Sequence, residues 1–384
     1  MSLFGSLYVG ASGLQTGQNA LNTTAHNLSN VDTKGYTRQQ TLLTDKNYNL
    51  LSVNPKAAAN QQTGLGVTYA DVRQVRDSFL DQKYRKESGR SAFYEVSYNT
   101  LGEVETLLGE LDGESFSESM NDLWEAVQEL AKQPASSVTQ GLLIQRASQF
   151  VEQAGNVYSA LSKYQDNLNN QIKGEVDQIN QYADRLFALN NEIIKIETGG
   201  IERANDLRDE RNQILDALGG YGNISYSEDW NGSVNVKYEG HTLVNATQVF
   251  KIGLDQNSDT GFYTPFWQGD AKKIPQENGT FRYDISNCKV FDLTREISTA
   301  CNTDIGSLKG MLVARGDHRA DYTDLQDADA YNETVSSSIL MNVQAEFDNL
   351  VHNIVTKFNE VLENAAEKEG SPYLRNEDGT IIQL

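Results

Sequence analysis

One long helical repeat dominates the middle of this chain. Apolar residues recur from Ala147 to Ile196 at steps of mostly three and four. Such steps keep side chains on one face of an α-helix, so the pattern predicts one helix of about 60 residues, or ~90 Å at the helical rise. A rod of that length is unusual in a compact enzyme, and its apolar face needs another long helix beside it. The repeat therefore favours an elongated, mainly helical protein.

The start of the chain carries no charged side chain. Residues 1–31 contain no Asp, Glu, Lys or Arg, although the whole chain has 32 basic and 53 acidic residues and a net charge of −21. Within this segment one heptad position is always leucine: Leu7, Leu14, Leu21 and Leu28. The nearby glycines each weaken an isolated helix by ~1 kcal/mol relative to Ala. The segment is therefore predicted to be a helix that needs a closely packed partner.

An ordinary amphipathic helix, packed on its own domain, is the alternative for this segment. Such a helix usually carries charge on its solvent face, whereas this one has only Ser, Thr, Asn and Gln there. Those side chains tolerate water, and they also suit burial among neighbouring chains.

Composition excludes several classes of partner. The net charge of −21 argues against nucleic acid and anionic membranes, because both attract positive charge. No apolar run approaches the 18 or so residues of a membrane span, and the first residues lack the basic and apolar regions of a cleaved secretory signal. The two cysteines, Cys288 and Cys301, fit neither a disulfide framework nor a zinc site. We expect synthesis in the cytoplasm; if the protein leaves the cell, it needs another route.

The remaining patterns divide the chain into four parts. Residues 1–40 form the terminal helix and a turn, and residues 41–90 an extended connector. Residues 91–220 and 305–384 are predicted to pack as one discontinuous long-helix domain. Turn signals and alternating runs such as VNVKY and FRYDI predict an inserted all-β domain over residues 221–304. The fold class is therefore mainly α with an all-β insert.

Motifs for catalysis or cofactor binding are weak. The four histidines are scattered, and the glycines match no nucleotide-binding loop. Asp255, Asn257 and Asp259 have calcium-loop spacing, but the glycine and the twelfth ligand of such a loop are missing. Asp317, His318 and Asp321 are interpreted as an incidental surface cluster, and the charges of DLRDERN as a solvated helix face. We expect no catalytic residue, no metal site and no cofactor, so the chain is predicted not to be an enzyme.

A short signature then points to a family. The stretch AHNLSNVDTKGYTRQQ resembles the pattern A-x-N-[LI]-[AS]-N-x-x-T-x-G-[YF] of bacterial flagellar axial proteins, the rod, hook and hook-associated proteins. The matching positions are Ala25, Asn27, Leu28, Ser29, Asn30, Thr33, Gly35 and Tyr36. The following Thr37, Arg38 and Gln39 resemble the hook-associated protein 1 branch, the first hook–filament junction proteins.

Later stretches are similar to the same family. They are GLGVTYADVRQVRDSFLDQ, ANDLRDERNQILDAL and GSLKGMLVARGD, the last leading into a long helix that contains KFNEVL. Family members continue into a C-terminal helix that returns along the N-terminal one, and this chain stops at Leu384 without it. We therefore expect the C-terminal partner helix to be absent, together with any chaperone site that it carries.

The resemblance implies a structural subunit of the flagellum that joins hook to filament. It implies export in an unfolded state through the flagellar type III route, without a cleaved signal, and an extracellular location at the hook–filament junction. The implied partners are other copies of the chain, the hook protein, the second junction protein and an export chaperone, with no nucleic acid and no membrane span. The four leucines would form the assembly interface. The signature turn would be shaped by Asn27, Asn30, Thr33, Gly35, Tyr36 and Arg38. Another axial protein, such as a hook or rod subunit, stays open as an alternative, as does a ligand-binding or enzymatic module in the β insert.

Overall fold

The computed structural model describes residues 3–46, 49–52, 61–108, 116–199, 203–275 and 281–369. The helices are α1 Leu3–Ser29, α2 Ser78–Leu107, α3 Phe116–Lys132, α4 Ser137–Glu197, α5 Asn205–Tyr221, α6 Ser307–Arg315, the one-turn α7 Ala328–Ala330 and α8 Ile339–Glu369. The strands are β1 Gln39–Asp45, β2 Asn49–Ser52, β3 Gln61–Thr63, β4 Val67–Gln74, β5 Ile224–Glu228, β6 Val234–Tyr238, β7 His241–Val244, β8 Ile252–Gln256, β9 Tyr263–Trp267, β10 Lys272–Pro275 and β11 Phe281–Asp284. The fold class predicted from the sequence, mainly α with an all-β insert, is confirmed.

The long helix is present as one element. Helix α4 has 61 residues, and the predicted stripe supplies much of its buried face, for example Leu161, Ile172 and Leu189. The spacing of apolar residues alone thus identified this helix. Its ends agree with the sequence as well, because Pro134 precedes it and Gly199 follows it.

Two other helical regions add detail to the prediction. The apolar spacing predicts helix from Phe79 to Ala131 with a break near Gly109; the structure has two helices there, α2 and α3, and the break itself lies outside the described residues. The spacing also predicts a long helix from Tyr331, but α8 begins at Ile339, because Tyr331–Val335 form a single π turn. The hydroxyl of Ser338 then accepts from the backbone N of Met341 at 3.4 Å and caps α8.

All the strand pairs in the described part of the chain are antiparallel. Strands β1 and β4 form one hairpin, and β2 pairs with β3. Strands β5, β6 and β7 form a three-stranded sheet, followed by the pairs β8–β9 and β10–β11. Within residues 41–90, predicted from the sequence to be an extended connector, the structure thus contains a hairpin with a bulge between Leu42 and Leu43.

The chain divides into two compact units. The first comprises residues 1–88 and 179–251, and the second comprises residues 89–178 and 252–384. Strands β5 to β7 therefore belong to the first unit and β8 to β11 to the second. The sequence instead predicts residues 221–304 as one inserted domain, whereas the division into compact units separates these residues after position 251. The predicted domain boundaries stay a prediction.

The first unit has its core where α4, α5 and the three-stranded sheet meet. Its buried apolar side chains include Leu186, Leu189, Ile193, Leu215, Leu218, Val234, Val236 and Tyr238. On the buried face of α4, Asn190 joins the sheet, since its Nδ2 donates to the Val234 carbonyl at 2.9 Å and its Oδ1 accepts from Val234 N at 3.1 Å. This pairing ties the sheet to the helix.

The second unit is organised around α4, α6 and α8. The Phe116 ring of α3 contacts the rings of Phe150 and Phe347, with centroids 5.4 and 4.8 Å apart. The hydroxyl of Ser307, in α6, donates to the two carboxylate oxygens of Glu175 at 2.8 and 2.9 Å. Burial raises the pKa of Glu175 to about 7, although the Ser307 hydrogen bond opposes this shift.

Candidate assembly site

The four heptad leucines all face solvent. Leu7, Leu14, Leu21 and Leu28 are 70, 78, 70 and 74% exposed. We call these four side chains the leucine stripe. Gly10, Gly13 and Gly17 also face open space, since a Cβ at any of them would meet nothing within 4 Å. A second chain could therefore approach the α1 backbone closely along this helix.

The polar face of α1, not its leucine face, packs on the rest of its own unit. Ser12 and Thr16 are only 6 and 5% exposed. Ser12 Oγ accepts from Val67 N at 3.3 Å, and Thr16 Oγ1 donates to the Val67 carbonyl at 3.4 Å. Farther along, Thr41 Oγ1 donates to Thr23 Oγ1 at 3.0 Å. The usual orientation of an amphipathic helix is therefore reversed, which excludes the alternative of an ordinary helix packed through its leucines.

The signature turn is built around the side-chain amide of Asn27. Its Oδ1 accepts from the Tyr36 hydroxyl at 2.7 Å and from Gln39 N at 2.8 Å. Its Nδ2 donates to the Gln39 carbonyl at 2.8 Å. The amide thus uses its acceptor and its donor to join the end of α1 to the start of β1.

Asn30 and Thr33 shape the first part of the same turn. Asn30 Nδ2 donates to the His26 carbonyl at 3.0 Å, while its Oδ1 accepts from Thr33 Oγ1 at 3.2 Å. The Tyr36 ring packs edge-on against His26, with centroids 5.5 Å apart. Burial, with the charges of Asp209 and Asp206, raises the pKa of the Tyr36 phenol. Tyr36 is therefore held as a neutral donor to Asn27.

Gly35 adopts a conformation that favours glycine. Its φ is +81°, and a Cβ there would lie 2.2 Å from Gln213 Nε2. Gln213 Nε2 donates to the neighbouring Lys34 carbonyl at 3.1 Å. Arg38 is exposed, and its carbonyl accepts from Val75 N at 2.9 Å. The structure thus brings Asn27, Asn30, Thr33, Gly35 and Tyr36 together, and Arg38 joins them through its backbone.

Helix α5 supplies site residues that sequence reasoning missed. The interpretation of DLRDERN as a solvated face is wrong for Asp209 and Arg211, which are 5 and 3% exposed. Asp209 Oδ2 accepts from Thr37 N at 3.2 Å, just after the signature turn. Burial raises the pKa of Asp209, although hydrogen bonds from Thr37 oppose this shift. A sequence pattern that indicates this site is the four-residue spacing of the polar residues Asn205, Asp209 and Gln213, which places their side chains on one helix face.

The arginines of α5 are also held inside the unit. Arg208 bonds to Glu197 and to Glu228, each at 2.7 Å. Arg211 Nη1 donates to the Gly232 carbonyl at 2.7 Å, and burial lowers the pKa of this guanidinium despite the charge of Glu228. These contacts fix α5 against the end of α4 and the β5–β6 hairpin.

The residues of the calcium-like spacing and of the His318 cluster make hydrogen bonds and ion pairs within their own chain. Asn257 Oδ1 caps its own turn by accepting from Asp259 N at 2.9 Å. His318 lies between Asp317 and Asp324, at 2.6 and 3.3 Å. Burial lowers the pKa of His318, but the hydrogen bonds and charges of the two carboxylates outweigh it and the pKa is raised. A cavity of about 630 Å³ lies along α2 and Tyr164, away from residues 221–304.

Comparison with known proteins identifies the family. A family model described as the flagellar hook-associated protein FlgK helical domain matches residues 101–373. This range covers well over half of the 384 residues. The chain belongs to the FlgK family. A second model, flagella basal body rod protein, matches residues 7–37, which include most of α1 and every named residue of the signature turn except Arg38.

Individual FlgK relatives are moderately similar in sequence. Flagellar hook-associated protein 1 of Bacillus subtilis is 26% identical over 375 residues, 96% of this chain and 69% of the relative. The protein of that name from Salmonella typhimurium is 29% identical over 249 residues, 64% of this chain and 44% of the relative. The hook junction protein FlgK from Burkholderia pseudomallei has a solved structure with a TM-score of 0.47 at 17% identity, covering 62% of this chain and 38% of that one. The chain thus spans about two thirds of the first relative and less than half of the others.

The FlgK match agrees with two predictions. It confirms the resemblance to the hook-associated branch, and the relatives are flagellar proteins rather than enzymes, as expected for this chain. Among the described helices of this FlgK-family chain, none has the length and hydropathy of a membrane span.

Proposed function

We propose that this chain is a structural subunit that joins hook to filament, and that it assembles through the leucine stripe of α1 packed on neighbouring copies. The reversed orientation of α1 carries this proposal. The chain's own hairpin already binds the helix through Ser12 and Thr16, while the four leucines are at least 70% exposed. A solvent-facing leucine stripe on a helix without charge is typical of a surface that is buried in an assembly.

The energetics favour burial of this face. Fully burying one leucine contributes about 1.5–3 kcal/mol, so four leucines supply an appreciable driving force. No charged side chain has to be desolvated along residues 1–31. A head-to-tail contact between identical subunits repeats around an axis, and this repetition suits an axial structure.

The proposal extends to partners and location. The relatives are named hook-associated proteins, which supports contacts with the hook protein on one side and a second junction protein on the other. The site of action is then the extracellular hook–filament junction. Export in an unfolded state by the flagellar type III route, assisted by a chaperone, fits a first helix that contains several glycines and leaves its leucine face uncovered by its own chain.

The assembly experiment uses the full chain in a flagellated bacterium that lacks its own hook-associated protein 1. The double variant L14D/L21D should be exported but lost to the medium, since two carboxylates on the stripe oppose its burial. The matched control is Leu293→Asp, because Leu293 is exposed in the second unit. Immunolabelling of purified flagella gives the result, and normal incorporation of L14D/L21D would contradict the proposal.

Export in an unfolded state is tested by a separate experiment. Amide exchange on the isolated protein should find residues 3–29 much less protected than helix α4, because a helix with three open glycines and no partner on its leucine face is marginal. Protection equal to that of α4 in a monomer would rule out a helix whose stability depends on assembly.

A hook or rod subunit is the second candidate, favoured by the match of the rod-protein model to residues 7–37. Gold-labelled antibody distinguishes the two. Label at the hook–filament junction supports the first proposal, and label along the hook or the rod supports the second.

A further inference from the structure

One face of α5 contacts both the signature turn, which follows the terminal helix, and the returning strand β4. Asn205, Asp209 and Gln213 follow one another at steps of four and therefore lie on one side of the helix. Gln213 reaches the Lys34 carbonyl within the signature turn. Asn205 Nδ2 donates to the Val72 carbonyl of β4 at 2.9 Å. A single helix face thus holds the signature turn and the returning strand together.

Asp209 lies at the centre of this face. Its Oδ2 accepts from Thr37 N at 3.2 Å, and its Oδ1 accepts from Gln74 Nε2 at 2.8 Å. The same Gln74 Nε2 donates to the Asn205 carbonyl at 2.9 Å. The two oxygens of one buried carboxylate therefore bind two chain segments that are far apart in sequence.

We infer that this α5 face is a latch for the signature turn and that Asp209 is its central positioning residue. The latch sets the direction of α1 relative to α5 within the first unit. The connection is continuous, because Thr37 follows Tyr36, and Tyr36 and Gln39 both bond to Asn27 at the end of α1. Fixing Thr37 on α5 therefore fixes the base of the helix that carries the leucine stripe.

The carboxylate is essential to this role. Each oxygen of Asp209 faces one N–H donor, Thr37 N or Gln74 Nε2, and the Thr37 side chain also bonds to the carboxylate. Both oxygens must therefore accept. An asparagine of the same shape offers one oxygen and one NH2 group, and that NH2 group would face a donor. Asp209→Asn thus changes hydrogen bonding at nearly constant volume, which separates the latch from simple packing.

The test is amide exchange on the full chain, comparing Asp209→Asn with Asp206→Asn. Asp206 is exposed on the same helix and is the matched control. In Asp209→Asn, the backbone amides of residues 34–46 and 67–75 should exchange about tenfold faster than in the parent chain. This is the change expected when a buried hydrogen bond to a charged group is lost. Strand β6 should be unchanged, and Asp206→Asn should resemble the parent chain.

Two results would overturn the latch. One is unchanged exchange at residues 34–46 in Asp209→Asn. The other is amide exchange in β6 that is accelerated as much as exchange at residues 34–46 and 67–75. That result would mean that Asp209 only stabilises the unit as a whole. Gln74→Met provides a second route, since it removes the donor and keeps Asp209, and it should loosen the same two segments. Because every measurement is on the isolated chain, failure here would leave the assembly proposal intact.

Discussion

Asn27 and Gln39 exchange two hydrogen bonds across the signature turn, both 2.8 Å long. One runs from Gln39 N to Asn27 Oδ1 and the other from Asn27 Nδ2 to the Gln39 carbonyl. The side-chain amide thereby imitates a paired strand residue at the point where α1 gives way to β1. A short polar motif can therefore join the end of a helix to the start of a hairpin through side-chain hydrogen bonds.

Replacing Asn27 should open this turn. Asn27→Ala removes both bonds to Gln39 and the acceptor of the Tyr36 hydroxyl, so the Gln39 amide should exchange about five- to thirtyfold faster, equivalent to about 1–2 kcal/mol. Asn27→Asp keeps an acceptor and should have a smaller effect. Asn22→Ala, at an exposed position of α1, is the control. NMR-detected exchange measures all three, and an unaltered Gln39 rate in Asn27→Ala would contradict this account.

The leucine stripe should contribute little to the stability of the monomer. Leu14→Ala is expected to change the free energy of unfolding by no more than about 0.5 kcal/mol, because Leu14 is exposed. Leu189→Ala, at a buried position of the same unit, should cost about 2–5 kcal/mol. Urea denaturation of both variants provides the comparison. A large loss in Leu14→Ala would mean that the stripe packs within its own chain.

The stability of the second unit should fall between about pH 4.5 and pH 7. The pKa of Glu175 is about 7 in the folded chain and 4.5 as its ordinary value. The folded state therefore binds more protons in this window, and the free energy of unfolding decreases as pH rises through it. Glu175→Gln keeps a partner for Ser307 and removes the buried charge, so at pH 8 it should stabilise the unit by roughly 1–3 kcal/mol.

Denaturation curves at several pH values test this dependence. Glu152→Gln on the exposed surface of α4 is the matched control and should leave the pH profile as it is. If the free energy of unfolding of Glu175→Gln changed with pH as steeply as that of the parent chain, the Glu175 carboxyl would not be the cause of the pH dependence.

His318 should titrate above an ordinary histidine. The carboxylates of Asp317 and Asp324 outweigh the effect of burial and raise its pKa. The resulting stabilisation is fully present below the ordinary pKa and disappears as pH rises through the raised one. Asp324→Asn should lower the pKa of His318, whereas Asp329→Asn, at an exposed position, should not. NMR titration of the imidazole resonances detects the difference, and equal pKa values in the two variants would exclude the Asp324 contact.

Repeats and short motifs made much of this chain predictable. The spacing of apolar residues identified α4. The charge-free leucine heptad identified α1 as a helix whose leucine face needs a partner. The signature motif marked the turn around Asn27, because its hydrogen bonds join residues only 9 and 12 positions apart. The burial of Asp209 and Arg211 was missed, because their partners lie in distant parts of the sequence, such as Thr37 and Gly232.

The sequence by itself determined which segments are helical and that α1 has a leucine face and a polar face. Those properties depend on residues within a few turns of one another. Only the tertiary structure decided which face of α1 its own chain covers, since that choice depends on Val67 and Thr41 meeting Ser12, Thr16 and Thr23. The hairpin presents hydroxyl and backbone partners rather than an apolar surface, so the polar face is bound and the leucines are left exposed.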